Sequence, residues 1–135
     1  DTKLAPELSN EAHYYRAKAY LDAGKTDGAM EDLKILAKDT RNVYGAEAKY
    51  KVAQIYFDGG QTDKAEQEVL NYIEVSTPHT YWLARSFVLL ADVYMKLGRN
   101  LDAKQYLLSL KQNYQADDDI AGMIESRLEK LKTEN

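Results

Sequence analysis

The sequence predicts an all-α fold, an α-solenoid of three antiparallel helix pairs followed by a C-terminal capping helix. The main observation is a motif that occurs three times, as AYLDAGKTDGAMEDL, IYFDGGQTDKAEQEV and VYMKLGRNLDAKQYL. Each copy has Tyr, Gly, Ala and an aliphatic residue separated by three, four and three residues. Its glycines, Gly24, Gly60 and Gly98, lie 36 (60 − 24) and then 38 (98 − 60) positions apart. Repeats of this length indicate stacked supersecondary units.

Each motif marks the turn between two helices of one pair. Before the glycine, small and apolar residues recur at helical spacing, as in Ala46, Tyr50, Ala53 and Phe57 of the second copy. The glycine supplies the left-handed residue that ends the first helix. The expected N-caps of the second helices are Thr26, Thr62 and Asn100.

An apolar stripe after each turn predicts the second helix of the pair. In the second copy it runs through Ala65, Val69, Tyr72 and Ile73. Between the second and third pairs, Thr77-Pro78 indicates an N-cap followed by proline at the first helical position. The expected organisation is a single domain over residues 1–135, with pairs at about 10–45, 46–83 and 84–116 and a capping helix at about 117–132.

The last helix is expected to close the stack. Asp117, Asp118 and Asp119 precede it, where acidic side chains cap a helix. Its apolar residues, Ile120, Ile124, Leu128 and Leu131, lie on one side. A helix that is apolar on one side only is a natural terminal cap for a solenoid.

Composition excludes several classes of function. The net charge is −4 and no run of basic residues is present, so the sequence predicts no nucleic-acid partner and disfavours RNA-binding helical repeats. The longest apolar run, Phe87–Ala91, is far shorter than the ~20 residues of a membrane span. The chain starts at Asp1 without methionine or an apolar leader, which indicates a processed chain or an excised fragment.

No motif for catalysis or metal binding is recognised. The chain has no cysteine, which rules out disulfides and thiolate chemistry. His13 and His79 lack metal-ligand spacing, and Asp117 to Asp119 lack a calcium loop. Phosphate-loop and nucleophile-elbow motifs are absent from the sequence. We therefore expect no enzyme activity, no cofactor and no metal.

The repeated pattern resembles the tetratricopeptide repeat over about residues 11–114. That resemblance implies a right-handed solenoid that binds proteins. The usual repeat has ~34 residues, and the extra residues here fall between units, around 41–45 and 77–83. Lengthened repeats of this kind are similar to those of bacterial cell-envelope proteins, including outer-membrane assembly and Tol–Pal coordination families. The resemblance therefore suggests the bacterial periplasm or cell envelope.

The resemblance also implies a concave groove, lined by the first helices, that holds a peptide or a partner protein. Carried over position by position, the candidate groove residues are Tyr14, Lys18, Leu21, Tyr50, Lys51, Gln54, Phe57, Arg85, Val88, Asp92 and Met95. An aromatic floor with a few cations suits a peptide with an acidic end. Lys18, Lys51 and Arg85 are either an anion-preferring strip or ordinary solvated charges. Tyr14 and Tyr50 are either ligand contacts or packing residues.

The first pair departs from the family pattern. His13 and Arg16 stand where the family has large apolar residues, while the third pair has Phe87 and Leu90 there. The first pair is therefore either weaker or an end that packs on something else. This supports an alternative function, in which the chain is the terminal segment of a longer array and self-associates through its first helix pair.

Two adjacent aromatic residues, Tyr81 and Trp82, begin the third pair. We expect one of them in the core and the other exposed as an anchor for a partner.

Overall fold

A computed structural model describes residues 8–75 and 77–133, and these residues form seven α-helices and no β-strand. The helices are α1 (Asn10–Asp22), α2 (Thr26–Leu36), α3 (Val43–Asp58), α4 (Thr62–Glu74), α5 (Thr80–Lys96), α6 (Asn100–Asn113) and α7 (Ile120–Thr133). None of these helices is long and apolar enough to cross a membrane. The predicted all-helical fold is confirmed.

The turns inside the three pairs share one backbone geometry. Gly24, Gly60 and Gly98 have φ values of +73°, +81° and +77°, the left-handed region that favours glycine. In the first turn, the N–H of Gly24 donates to the carbonyl of Leu21, and the N–H of Lys25 donates to that of Tyr20. This is the Schellman arrangement, which satisfies the last carbonyls of a helix. The three predicted turns are confirmed.

The predicted N-caps of the second helices are wrong by one position. Thr26, Thr62 and Asn100 are the first helical residues, and the caps are Lys25, Gln61 and Arg99, none with a side-chain capping bond. The physical reason is that one residue performs two functions. The N–H of Lys25 closes the Schellman turn, and its carbonyl accepts from the N–H of Ala29, the first bond of α2.

The helix pairs stack in chain order. The first helix of each later pair packs against both helices of the preceding pair, so α3 contacts α1 and α2, and α5 contacts α3 and α4. α7 contacts α5 and α6 in the same way. The capping helix therefore occupies the position of the first helix of a fourth unit.

Small residues allow the helices to approach closely. The motif alanines Ala29, Ala65 and Ala103 have no exposed surface. Gly45 of α3 crosses the end of α2, where an added Cβ would overlap the carbonyl oxygen of Asp39 and lie 2.5 Å from that of Leu36. Side-chain volume is therefore excluded at these crossings.

The linkers between consecutive pairs contact each other. The Thr77 hydroxyl donates to the carbonyl of Thr40 at 2.6 Å, and Nε2 of His79 lies 2.9 Å from the carbonyl of Arg41. The expectation that Thr77 caps α5 is wrong, because α5 begins at Thr80 with His79 as its N-cap. The Thr77 hydroxyl instead bridges two linkers that lie one repeat apart.

The polar residues of the first pair form a cluster around a buried carboxylate, which we call the α1–α2 cluster (His13, Arg16 and Asp32). Asp32 is 1 % exposed and His13 is 8 % exposed. Asp32 Oδ1 lies 2.8 Å from Nδ1 of His13, and Arg16 donates to both Asp32 oxygens at 2.8 and 2.7 Å. Arg16 thereby lowers the pKa of Asp32, and the hydrogen bond with His13 acts in the same direction while burial opposes them. The first pair thus has specific ionic contacts where apolar contacts were expected.

The other pairs place different chemistry at the same positions. Lys49 in the second pair forms an ion pair with Glu68 at 2.8 Å. Phe87 in the third pair stacks on Tyr106 with ring centroids 6.1 Å apart. These residues follow His13 and Asp32 at the repeat offsets of 36 and 38 positions (49 − 13 and 87 − 49). The contact between the helices of a pair is therefore retained while its polarity changes along the stack.

The aspartates before α7 are used inside the chain. The backbone N–H of Ile120 donates to Asp118 Oδ1 at 2.9 Å, and the Tyr114 hydroxyl donates to Asp118 Oδ2 at 2.6 Å. The Tyr81 hydroxyl donates to Asp119 at 2.8 Å. The predicted capping role is confirmed for Asp118.

Candidate functional site

The candidate groove residues lie on the first helices of successive pairs, and we call their shared surface the first-helix surface. Tyr14, Lys18 and Leu21 lie on α1, Tyr50, Lys51, Gln54 and Phe57 on α3, and Arg85, Val88 and Met95 on α5. Contacts connect the neighbouring helices. Tyr14 of α1 bonds Glu47 of α3, Arg85 of α5 lies over Tyr50 of α3, and Asp92 of α5 pairs with Arg127 of α7. The surface therefore continues onto α7.

Tyr14 contacts several neighbouring side chains at the N-terminal end of the first-helix surface. Its hydroxyl donates to the two carboxylate oxygens of Glu47 at 3.0 and 3.2 Å. Its ring packs against Tyr44 with centroids 4.6 Å apart, and Nζ of Lys18 lies 5.4 Å from its centroid. Burial, followed by the Glu47 hydrogen bond, raises the pKa of Tyr14 to about 12, so the hydroxyl stays protonated at neutral pH. Tyr14 is half-buried and combines packing with an accessible edge.

The three cations of the predicted strip differ in their surroundings. Lys51 Nζ lies 2.6 Å from Glu47 Oε2, so a carboxylate compensates its charge. Lys18 is exposed. The Arg85 guanidinium lies 5.1 Å from the Tyr50 ring centroid and donates to the Tyr81 hydroxyl at 3.1 Å. Glu47 thus interrupts the strip between its two ends.

The middle of the surface is built from packed aromatic rings. Tyr50 is 7 % exposed, lies 5.7 Å from Trp82 between centroids, and donates its hydroxyl to Gln54 at 2.7 Å. Burial raises its pKa, and the Arg85 guanidinium opposes that shift. The expectation that Tyr81 and Trp82 divide into core and exposed is wrong. Both are half-buried, because their rings pack against each other in a T-shaped arrangement at 4.9 Å between centroids and both contact the core.

The C-terminal end of the surface contains an open cavity of about 640 Å³ between α3, α5 and α7, which we call the C-terminal cavity. Its lining residues are Phe57, Asp92, Met95, Lys96, Ser126, Arg127 and Lys130. Val88 does not reach it. The Val88 side chain is 2 % exposed and lies in the core, so it is not accessible to a ligand.

Two parts of this surface escaped the sequence analysis. Glu47 lies four residues before Lys51, and that spacing on a helix is the signal that would have indicated their ion pair. Arg127 and Lys130 were assigned only to a cap. The region around α7 lacks the Tyr–Gly–Ala motif, so the repeat gave no reason to place α7 beside α5.

The chain also presents an exposed face on α1 and the preceding Leu8, which we call the N-terminal face (Leu8, Ala12, Tyr15 and Ala19). All four residues are exposed, Leu8 at 45 % and Tyr15 at 58 %. Three of the positions that correspond to them in α3, at an offset of 36, are Tyr44, Ala48 and Ile55, which pack against the first pair. The first pair therefore exposes a face that the second pair uses for stacking.

Two tetratricopeptide repeat family models match this chain, one at residues 11–39 and the other at residues 84–114. The first match includes the α1–α2 cluster, and the second includes most of α5 and all of α6. No curated protein matches the chain.

Proposed function

We propose that this chain, a tetratricopeptide repeat protein by its two family matches, binds a peptide or a partner protein on its first-helix surface. Repeats of this family generally mediate protein–protein interaction in non-enzymatic scaffolds. The observation that carries the proposal is that Tyr14, Leu21, Phe57 and Met95 are half-buried along that surface. Accessible apolar atoms beside ordered polar groups are typical of binding surfaces.

The proposal assigns the contacts to nine of the eleven candidate residues, and Asp92 is left out because Arg127 binds both of its carboxylate oxygens. Val88 is left out because it is buried. Tyr50 is a floor residue, since its exposed fraction is small. The accessible contacts are Tyr14, Lys18, Leu21, Lys51, Gln54, Phe57, Arg85 and Met95.

Selection from a random dodecamer peptide library on the intact chain tests this proposal. We expect peptides whose affinity falls at least tenfold, about 1.4 kcal/mol, in the Phe57→Ser and Leu21→Ser variants. Leu101→Ser is the matched control, because Leu101 lies on α6 and is 71 % exposed. Circular dichroism checks that each variant is folded. Peptides that respond to Leu101→Ser and not to Phe57→Ser would contradict the proposal.

A second candidate function rests on the N-terminal face. We infer that the chain is the terminal segment of a longer array, or a unit that self-associates through its first helix pair. The supporting observation is that Tyr44, Ala48 and Ile55 of α3 pack on the preceding pair, whereas their counterparts Leu8, Ala12 and Ala19 are exposed. An apolar patch of this kind favours association.

Sedimentation equilibrium tests the second candidate. We expect the intact chain to dimerise with rising concentration and the Leu8→Lys variant to remain monomeric. Leu108→Lys, on α6 and 44 % exposed before substitution, is the control. A monomer at every concentration would contradict self-association.

A further inference from the structure

We infer that the C-terminal cavity docks a partner segment in which a large apolar residue is flanked by carboxylates. This inference rests on the proposed function and specifies the chemistry of the partner at one end of the first-helix surface. The C-terminal cavity combines an apolar floor with a rim on which positive charges outnumber negative ones.

The floor consists of two apolar side chains. Phe57 of α3 and Met95 of α5 are half-buried and line the cavity from adjacent helices. A volume of about 640 Å³ lies within the range of ligand pockets. Methionine also adapts its shape to different apolar groups. The floor therefore suits one large apolar side chain of an incoming segment.

The rim carries more positive than negative charge. Asp92 is the lining carboxylate, and Arg127 binds both of its oxygens at 2.7 and 2.9 Å. Lys96 and Lys130 also line the cavity, and both are exposed. Within residues 8–75 and 77–133, neither lysine forms an ion pair. The cavity therefore holds two uncompensated positive charges on a chain with a net charge of −4.

Arg127 is held in place by the chain itself. It binds Asp92 with two hydrogen bonds, and its Nη1 donates to the carbonyl of Met123 at 3.2 Å. The exposed lysines are thus the groups available to a ligand. Lysine ammonium groups attract carboxylates over a distance of about one Debye length, so binding should weaken as salt increases.

Peptide carboxylates fit this charge better than a nucleic acid does. Two free lysines beside an apolar floor neutralise few phosphates, whereas nucleic-acid binding depends on many such contacts. The apolar floor in turn requires a partner with an apolar side chain, which a free inorganic anion lacks.

The random dodecamer library provides the probe for this inference. We expect the peptides that depend on Phe57 to be enriched in Asp and Glu around an aromatic or large aliphatic residue. Their affinity should fall at least tenfold in a Lys96→Glu/Lys130→Glu variant and should fall with added salt. The matched control is Lys25→Glu/Lys104→Glu, which makes the same change in net charge at exposed lysines outside the cavity.

Charge reversal provides the second readout. Selection on the Lys96→Glu/Lys130→Glu variant should yield Lys- and Arg-rich peptides. Some selected peptides could need Phe57 for binding and yet carry no net charge and bind the Lys96→Glu/Lys130→Glu variant with unchanged affinity. Such peptides would overturn this inference and leave the proposed function intact. Peptides without any dependence on Phe57 would overturn both. Tighter binding of a single-stranded RNA dodecamer than of the selected peptides, lost in the same variant, would also overturn it.

Discussion

Asp32 is a carboxylate with 1 % of its surface exposed, held by His13 and Arg16. Desolvation of a carboxylate is costly unless charged or hydrogen-bonded groups compensate it. The cluster therefore makes the stability of the first pair depend on one ionised side chain.

Removal of the Asp32 carboxylate should destabilise the protein. We expect Asp32→Ala to lower the free energy of unfolding by about 2–3 kcal/mol, because His13 loses its partner in the pair interface. Urea denaturation measures the change. Glu129→Ala is the control, since the Glu129 side chain is 73 % exposed and its substitution should stay within about 0.5 kcal/mol. Equal losses in the two variants would contradict the role of Asp32.

The same residue predicts a pH dependence. The pKa of Asp32 lies below its ordinary value of 3.8, first because Arg16 donates hydrogen bonds to it. A carboxyl with a lower pKa in the folded state contributes full stability above its unfolded pKa and loses it as the pH falls through the folded pKa. The stability difference between the wild type and Asp32→Asn should therefore be constant above pH 3.8 and shrink below it. Urea titrations across that range would contradict this if the difference stayed constant.

Two glycines should respond to alanine with opposite signs. A Cβ at Gly45 would overlap backbone atoms of Asp39, which cannot move aside as a side chain would, so Gly45→Ala should cost about 3 kcal/mol or more. Gly122 of α7 has open space around the added atom, so Gly122→Ala should gain about 0.5–1 kcal/mol from helix propensity. Thermal denaturation of both variants checks the signs. A stable Gly45→Ala protein would contradict the close crossing of α2 and α3.

At the scale of elements, each helix pair carries the same contact in a different chemical form. His13–Asp32, Lys49–Glu68 and Phe87–Tyr106 occupy corresponding sites. Buried ion pairs often contribute no more than well-packed apolar residues of similar volume. The apolar residues of the third pair should therefore be able to replace the ionic residues at the corresponding positions of the first pair.

Transfer of the third pair's residues should be tolerated. We expect His13→Phe/Arg16→Leu/Asp32→Tyr to unfold with a free energy at least equal to that of the wild type, because no charge remains buried without a partner. His13→Phe alone should be less stable, since Asp32 keeps only Arg16. Urea denaturation compares the three proteins. A triple variant less stable than His13→Phe would contradict the equivalence of the sites.

The elements could largely be predicted from the sequence, and the errors have a physical cause. Period and glycine position indicated six helices and their turns, because both depend on local backbone geometry. The N-caps at Thr26, Thr62 and Asn100 were misplaced, since side-chain preference does not show that Lys25, Gln61 and Arg99 each close one helix and open the next.

At the scale of the whole molecule, the helix pairs contact only their neighbours. α1 contacts α2 and α3, and no contact joins α1 or α2 to α5 or α6 among the described residues. Stability in such a stack is a sum of local and nearest-neighbour contributions. Among the described helices, the first pair has a neighbouring pair on one side only.

Local unfolding should follow this arrangement. In the Asp32→Ala variant we expect amide hydrogen exchange to accelerate in α1 and α2 and to remain unchanged in α5 and α6, because opening of the first pair does not require the third. Exchange followed by mass spectrometry measures this. An equal acceleration in all pairs would show that the chain unfolds as one unit.

The candidate site was predicted only in part from the sequence. The repeat placed Tyr14, Phe57 and Met95 on first helices, because position in the motif specifies the helix. It could not show that Glu47 compensates Lys51 or that α7 adds Arg127 and Lys130, since these contacts depend on side-chain conformations and on a helix without the motif.

The turn inside each pair also limits how such a chain can change in length. One residue, Lys25, Gln61 or Arg99, completes the end of a helix and starts the next. An insertion at this residue would place the hydrogen bond that ends one helix and the hydrogen bond that begins the next on different residues. Additions are accommodated away from this turn, since α4 and α5 have 13 and 17 residues where α2 and α3 have 11 and 16. Differences in length between the repeats of this protein are therefore taken up in its helices, while the turns inside the pairs keep a constant span.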